Sequence, residues 1–363
     1  MDATLRRRGL LVERILDADL GAVVLGPGPD LRYLTGWDVH ESERPTLLVV
    51  PGRGTPVLVV PALEAPRARA DAELAGVDLR SYGETDDPLA AAVAAVPATG
   101  AVAVGDRLWS TTTLDLQAHL PGRVTERASR VTAPLRAVKD EEELVALREV
   151  AAAIDAVHRR VPGLLRPGRT EAEVAADLAA LIREDHDEVA FVIVAAGPNA
   201  ASPHHHPGAR PLALGDAVVV DIGGPLRGYH SDMTRTYHLG PPPPGTVEAY
   251  AVLEAARDAG VAAVRPGVTA EEVDAAARAV MTAAGLGDAF LHRTGHGIGL
   301  EVHEPPWIVA GEGTVLAPGM TFSVEPGYYL AGRTGARIED IVAVTADGVE
   351  VLNREPRGLR VVA

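Results

Sequence analysis

The chain has no cysteine among its 363 residues. Disulfides, thiolate metal sites, cysteine nucleophiles and regulation through thiols are therefore all excluded. Aromatic residues make up only 4%, which leaves little material for a large aromatic specificity pocket. Positive charge is nearly all arginine: Lys139 is the only lysine, and a net charge of −16 disfavours nucleic acid and anionic membranes as partners. No apolar run approaches the roughly 18 residues of a membrane span. The stretch MDATLRRRGLLVERILDADLG breaks its apolar character at Glu13, Arg14 and Asp17, so a cytoplasmic protein without a membrane partner is expected.

What is present is an ordinary globular composition, 47% hydrophobic and 23% charged, on a chain long enough for two domains. Residues 1–133 read as a small α/β domain, with AVVLGPGP, PTLLVVP, TPVLVVP and AVAVGD as short strands bounded by glycine and proline. Pro134, followed by the long amphipathic pattern of KDEEELVALREVAAAIDAVHRRV, marks the junction, and residues 134–363 form the second domain. That second part repeats a design. RPGRTEAEVAADL and RPGVTAEEVDAAA recur with Pro167 and Pro266 in register, an offset of 99 residues (266 − 167). In each copy a threonine, Thr170 or Thr269, stands three residues before a glutamate, Glu173 or Glu272, the capping-box spacing of a helix start. Pseudo-twofold symmetry follows, with a site between the halves.

The chemistry concentrates in five side chains at extended or glycine-rich positions. Asp221 and Asp232 flank the turn of VVVDIGGPLRGYHSDMTRTYHL and should lie on neighbouring strands of a hairpin. Glu325 in TFSVEPGYYL and Glu339 in GARIEDIVAV form a second carboxylate pair of the same kind, and His296 lies in TGHGIGLEVHE, where glycines let the backbone crowd around an imidazole. Each acid is embedded in an apolar or glycine-bounded strand, where an ionised carboxylate is costly unless paired or coordinated. Four converging carboxylates would repel one another, and divalent cations relieve that repulsion. Oxygen-rich ligation suits hard or borderline ions such as Mn, Co, Fe or Zn. The alternative for any one acid is a scattered surface charge.

The order of these residues, with VDIGG, SDMTRT, HRTGHGIGLEVHEPP, SVEPG and RIED around them, resembles the pita-bread metallopeptidases, which include methionine aminopeptidase, Xaa-Pro aminopeptidase and prolidase. The segment YLTGW, Tyr33 to Trp37, followed by RPTLLVVP is similar to the creatinase-type amino-terminal domain of the proline-specific branch. The resemblance implies an α/β protein: a pita-bread catalytic domain with internal pseudo-twofold symmetry behind a smaller creatinase-type domain. It implies two divalent ions, manganese first, held by Asp221, Asp232, His296, Glu325 and Glu339, with Asp232 and Glu339 bridging. It places His204, His303 and Glu325 in catalysis and His204, His292, His303 and Arg337 against substrate. Arg337 would orient carboxylates or substrate and is equally readable as a group that balances their charge, and in the run His204, His205, His206 the second histidine is the alternative to the first. For His40, His119, His158, His186, His230 and His238 a surface or structural place is expected. The implied reaction is hydrolysis of the peptide bond preceding proline, in a dipeptide or short peptide, by a homodimer. A metal-dependent hydrolase of small amides, of the ectoine-hydrolase kind, and a non-catalytic binding protein on the same scaffold are the competing expectations.

Overall fold

The computed structural model describes residues 3–70 and 74–362, which form two compact units, 1–136 and 137–363. The first unit holds β1 (Leu20–Leu25), β2 (Leu47–Pro51), β3 (Val57–Pro61), β4 (Asp78–Tyr82), β5 (Ala101–Val104) and β6 (Val124–Arg127). They form one mixed sheet in the order β4-β3-β2-β1-β5-β6. Its helices are α1 (Ala3–Asp17), α2 (Pro29–Thr35), α3 (Ala65–Ala70), α4 (Pro88–Val93), α5 (Ser110–His119) and α6 (Ser129–Ala137). The central strands are continuous β-branched and leucine runs buried on both faces, the pattern of strands covered from two sides. Pro134 lies inside α6, which continues to Ala137, and the units divide after Arg136.

The second unit opens with α7 (Glu141–Leu164) and α8 (Glu171–Asp185). Asp140 caps α7 through Glu143 N–H, and Glu141, Glu142 and Glu143 place negative charge against its N-terminal dipole. A four-stranded sheet follows, made of β7 (Phe191–Ala196), β8 (Ala217–Gly223), β11 (Met233–Leu239) and β19 (Arg360–Val362), with the small hairpin β9 (Pro225–Leu226) and β10 (Tyr229–His230) at the tip between β8 and β11. The second half repeats this with α9 (Thr246–Ala263) and α10 (Ala270–Ala283), then a five-stranded sheet of β12 (Gly295–Gly297), β13 (Glu304–Ile308), β14 (Thr321–Val324), β17 (Asp340–Val344) and β18 (Val349–Val351). The hairpin β15 (Gly327–Leu330) and β16 (Thr334–Arg337) is inserted between β14 and β17.

The repeat extends to individual hydrogen bonds. Gly168 N–H donates to Leu212 O at 2.8 Å and Gly267 N–H to Leu316 O at 2.9 Å; the return bonds, Leu212 N–H to Arg169 O and Leu316 N–H to Val268 O, are both 2.8 Å. Both glycines have φ of +90°, a left-handed conformation that a side chain would strain. Strand alternation then decides what each sheet face carries. On β8 and β11, Val218, Val220, Ile222, Met233, Tyr237 and Leu239 pack against α7 and α8, which leaves Asp221, Thr234 and Thr236 on the opposite face. On β14 and β17, Phe322, Val324, Val342 and Val344 pack with Val261 of α9 and Val273 of α10. The two sheets meet where Glu339 N–H donates to Thr234 O at 3.1 Å. Among the described residues no helix is long and apolar enough to cross a membrane.

Candidate active site

Thr234 of β11 pairs with Asp221 of β8, and Asp232 stands one residue before β11, so the first two carboxylates leave adjacent strands on one face. In the second half Val324 pairs with Asp340, which brings Glu325 and Glu339 side by side just beyond the ends of β14 and β17. His296 is delivered by β12, where a Cβ at Gly295 would overlap the Ser323 carbonyl and one at Gly297 the Glu304 and Pro305 carbonyls. Only glycines permit the backbone to close around that imidazole. Ser323 Oγ fixes the strand further by accepting from His296 N–H at 3.0 Å and donating to Glu325 Oε1 at 3.2 Å.

The five side chains converge. Asp221, Asp232 and Glu339 form one set of oxygens, and His296, Glu325 and Glu339 another set of donor atoms; within each set all atoms lie within 4.8 Å of one another. Glu339 belongs to both sets. His296 Nδ1–H donates to Gly297 O at 3.1 Å, so in the neutral ring the Nε2 lone pair faces outward. It meets Glu325 Oε1 at 3.3 Å, Asp232 Oδ2 at 3.5 Å and Glu339 Oε1 at 4.0 Å. Burial, followed by the neighbouring His303, lowers His296 to about 3, so the ring is neutral at physiological pH. A lone pair turned toward three carboxylates has no proton to share with them. Burial raises Glu325 to about 7, and burial together with the surrounding carboxylates pushes Asp232 and Glu339 well above the usual carboxylate range. Asp221 Oδ1 is buried without a hydrogen-bond partner. A neutral imidazole, an unsatisfied carboxylate oxygen and three strained acids together form a donor set that fits divalent cations.

Around this centre lies a cavity of about 850 Å³, lined on its polar side by His204, His292, His303 and Arg337 and on its apolar side by Phe191, Val192, Ile193, Val302 and Trp307. His303 stacks edge-on against His296 with ring centroids 4.1 Å apart. His292 is lowered to about 4 by burial, then by Arg337. Its Nδ1–H donates to Arg293 O at 2.7 Å, which leaves Nε2 to accept from Tyr329 OH at 2.8 Å. Arg337 is buried, and its donors are engaged by protein groups: Asp221 Oδ2 at 2.6 Å, Tyr329 OH at 2.8 Å, Thr234 Oγ1 at 3.0 Å and Pro203 O at 3.3 Å. Arg337 thus meets one of the centre's carboxylates, Asp221, directly. Burial opposes its charge, but Tyr329, Asp221, Glu325 and Glu339 hold its pKa well above the ordinary arginine value.

Residues 145–346 match the family model of metallopeptidase family M24, and residues 7–138 match the creatinase/prolidase N-terminal domain. The chain is 51% identical over 364 residues to a probable dipeptidase PepE of Mycobacterium tuberculosis, covering 98% of this chain and 96% of that protein. It is 34% identical to an Xaa-Pro dipeptidase of Lactobacillus helveticus, with 92% of each chain covered. Among solved structures, dipeptidase PepE from Mycobacterium ulcerans superposes with a TM-score of 0.95 at 48% identity, over 99% of this chain and 98% of that one. Recombinant prolidase from Thermococcus sibiricus superposes at 0.93 with 31% identity, over 100% of each.

The chain belongs to metallopeptidase family M24. It is an α/β metallopeptidase behind a creatinase-type N-terminal domain, and the family implies the divalent metal ions for which the carboxylate centre is suited. All nine residues singled out in the sequence line one cavity of this M24 peptidase. His158, His186 and His238 are instead buried structural groups, bonded to Met233 O, Ile182 O and Gly240 O respectively. Sequence reasoning missed Tyr329, which links Arg337 to His292, and Thr234, which donates to Glu339 Oε2 at 2.8 Å. The signal for Thr234 was present: Asp232, Thr234 and Thr236 alternate, so all three occupy one strand face. Tyr329 carries no such mark, because its role depends on the inserted hairpin folding back over the site.

Proposed function

We propose that this M24 peptidase hydrolyses the peptide bond preceding proline in Xaa-Pro dipeptides, with two divalent ions held by Asp221, Asp232, His296, Glu325 and Glu339. The observation that carries the reading is the pair of donor sets sharing Glu339, which offers two adjacent cation positions. Bound there, divalent ions lower the pKa of water toward neutrality and polarise the scissile carbonyl. Manganese is the first choice, since four carboxylates and one imidazole suit a hard or borderline ion.

The chain's own residues supply the remaining steps. Glu325, whose Oε1 accepts from Ser323 Oγ and lies 3.3 Å from His296 Nε2, would accept a proton from the attacking water and return it to the departing proline nitrogen. Asp221 is oriented by Arg337 and Glu339 by Thr234. His204 and His303 face the cavity and donate to the substrate carbonyl as negative charge develops on its oxygen. The apolar wall of Phe191, Ile193, Val302 and Trp307 suits a pyrrolidine ring. An Xaa-Pro bond offers no N–H, so a site that selects it must recognise the ring instead. The Lactobacillus helveticus relative, an Xaa-Pro dipeptidase, supports the same substrate. A homodimer accompanies this reading, and light scattering that returned a monomer would refute that part alone.

The test is release of free proline from Xaa-Pro dipeptides by chelator-stripped enzyme before and after manganese is added. Activity that returns only with metal is expected. Silence with two equivalents of manganese demonstrably bound would overturn the dipeptide assignment.

A further inference from the structure

Glu171 is the first residue of α8, and its side chain is wholly shielded from solvent. A glutamate at a helix start ordinarily faces water, favoured there by the helix dipole. This one turns inward to a single strap of chain. Its carboxylate accepts from Ala196 N–H at 2.8 Å, Asn199 Nδ2 at 3.0 and 3.2 Å, His205 Nε2 at 2.8 Å and Gly208 N–H at 3.3 Å. The strap thus begins and ends on one buried acid, with His204 held between.

Three consecutive histidines create a problem of register. His204, His205 and His206 present the same chemistry, and a slip of one residue would offer the cavity the wrong imidazole on a displaced backbone. Burial alternates along the strap: Pro203, His205 and Pro207 are partly buried, while Ser202, His204 and His206 are exposed. Pro203 and His204 form a turn closed by His205 N–H donating to Ser202 O at 3.3 Å. Fixing His205 against Glu171 therefore fixes the turn that carries His204 at the cavity wall. Arg337 Nη1, donating to Pro203 O at 3.3 Å, clamps the strap immediately before His204.

We infer that Glu171 and His205 are a positioning pair that sets the register of residues 196–208 and so presents His204 to the substrate; His205 also borders the cavity, but its Nε2 is committed to Glu171. This rests on the reading that His204 engages substrate. The test is a set of variants assayed on whichever dipeptide the wild-type holoenzyme cleaves, so that an error in the proline assignment does not obscure the result. His205→Leu is expected to lower kcat/KM about tenfold to a hundredfold, the effect of a misplacement of about 1 Å, with bound manganese unchanged. His205→Gln, which restores a donor to Glu171, is expected to recover most of that loss. Glu171→Gln should move the same way as His205→Leu, and if it fails to fold the His205 variants carry the test alone.

The decisive readout is the cycle with His204→Ala. If His205 acts only through His204, the double variant is no worse than His204→Ala alone, whereas independent roles give losses that multiply. Wild-type kcat/KM in His205→Leu, or multiplicative losses in the double variant, would overturn the pairing. A silent His204→Ala would remove both the role of His204 and the pair that serves it.

Discussion

The two halves of the metallopeptidase unit share a backbone frame and differ in what they hang on it. Each begins with a glycine at φ +90°, a threonine and a capped helix, and each ends in an antiparallel strand pair carrying two carboxylates. The first half delivers short aspartates; the second delivers longer glutamates and the imidazole. The supporting acids differ as well. Glu171, at the first position of α8, holds the His204 strap, whereas Asp274, at the fifth position of α10, accepts from Thr294 N–H at 3.2 Å and Thr294 Oγ1 at 2.7 Å, two residues before His296. Repetition sets where the strands go, and divergence within the repeat decides which side chains each half brings to the one cavity.

The largest effect expected is from removing the centre's acids one half at a time. Asp232→Ala and Glu325→Ala should each lower kcat/KM on the order of a thousandfold or more, corresponding to about 4 kcal/mol of transition-state stabilisation, with far-ultraviolet circular dichroism unchanged. Near-wild-type turnover in either would show that its half does not contribute. A second effect separates chain position from allegiance. Lys139 stands before the first half, yet its Nζ donates to Glu304 of the second at 2.7 Å, with side chains only 1% and 3% exposed. Lys139→Met should destabilise the protein by about 3–5 kcal/mol, and adding Glu304→Leu should recover much of that loss. Chemical denaturation measures both; a mild single variant would mean that the buried acid does not need the lysine.

A smaller effect lies in pH. In metal-free enzyme Glu325 is raised by burial from 4.5 to about 7. Between those values the unfolded chain has released a proton that the folded chain retains, so the contribution of Glu325 to stability is greatest below about pH 4.5 and is lost as pH rises through 7. The buried imidazoles His292 and His296 contribute with the opposite slope, so the Glu325 part is read as the difference in melting temperature between chelator-stripped wild type and Glu325→Gln across pH. A difference that grows in favour of wild type as pH rises over this window would contradict the burial argument.

These comparisons also show what the sequence made legible. The five candidate ligands were visible because each acid interrupts an apolar or glycine-bounded strand, where an unpaired charge is costly. The repeat was visible because helix capping is local chemistry. Glu171 was not, since an acid beside a capping threonine is what a solvated helix start looks like. Its burial depends on chain 25 to 37 residues further on. Lys139 was noted as the only lysine, but its partner lies 165 residues away, beyond any local pattern. Pro134 marked the neighbourhood of the junction and not the end of an element, since α6 runs through it to Ala137.

The smallest prediction joins the repeat to the strap. Thr170 N–H and Thr269 N–H each donate to their glutamates, Glu173 and Glu272, at 2.7 Å. Each threonine side chain also accepts from the backbone N–H of its glutamate, at 3.2 Å for Thr170, the bond that satisfies a helix-terminal donor. Thr170→Ala and Thr269→Ala should therefore each cost about 1 kcal/mol, read from denaturant midpoints. Activity should separate them more sharply than stability. Thr170 is bonded directly to Glu171, so loosening the start of α8 loosens the anchor of the His204 strap and lowers kcat/KM several-fold. The start of α10 carries Ala270 at the matching position, which anchors no strap, so Thr269→Ala should leave kcat/KM within twofold of wild type. Equal activity losses in the two variants would mean that the halves transmit disorder alike, and that the inward turn of Glu171 makes no functional difference between them.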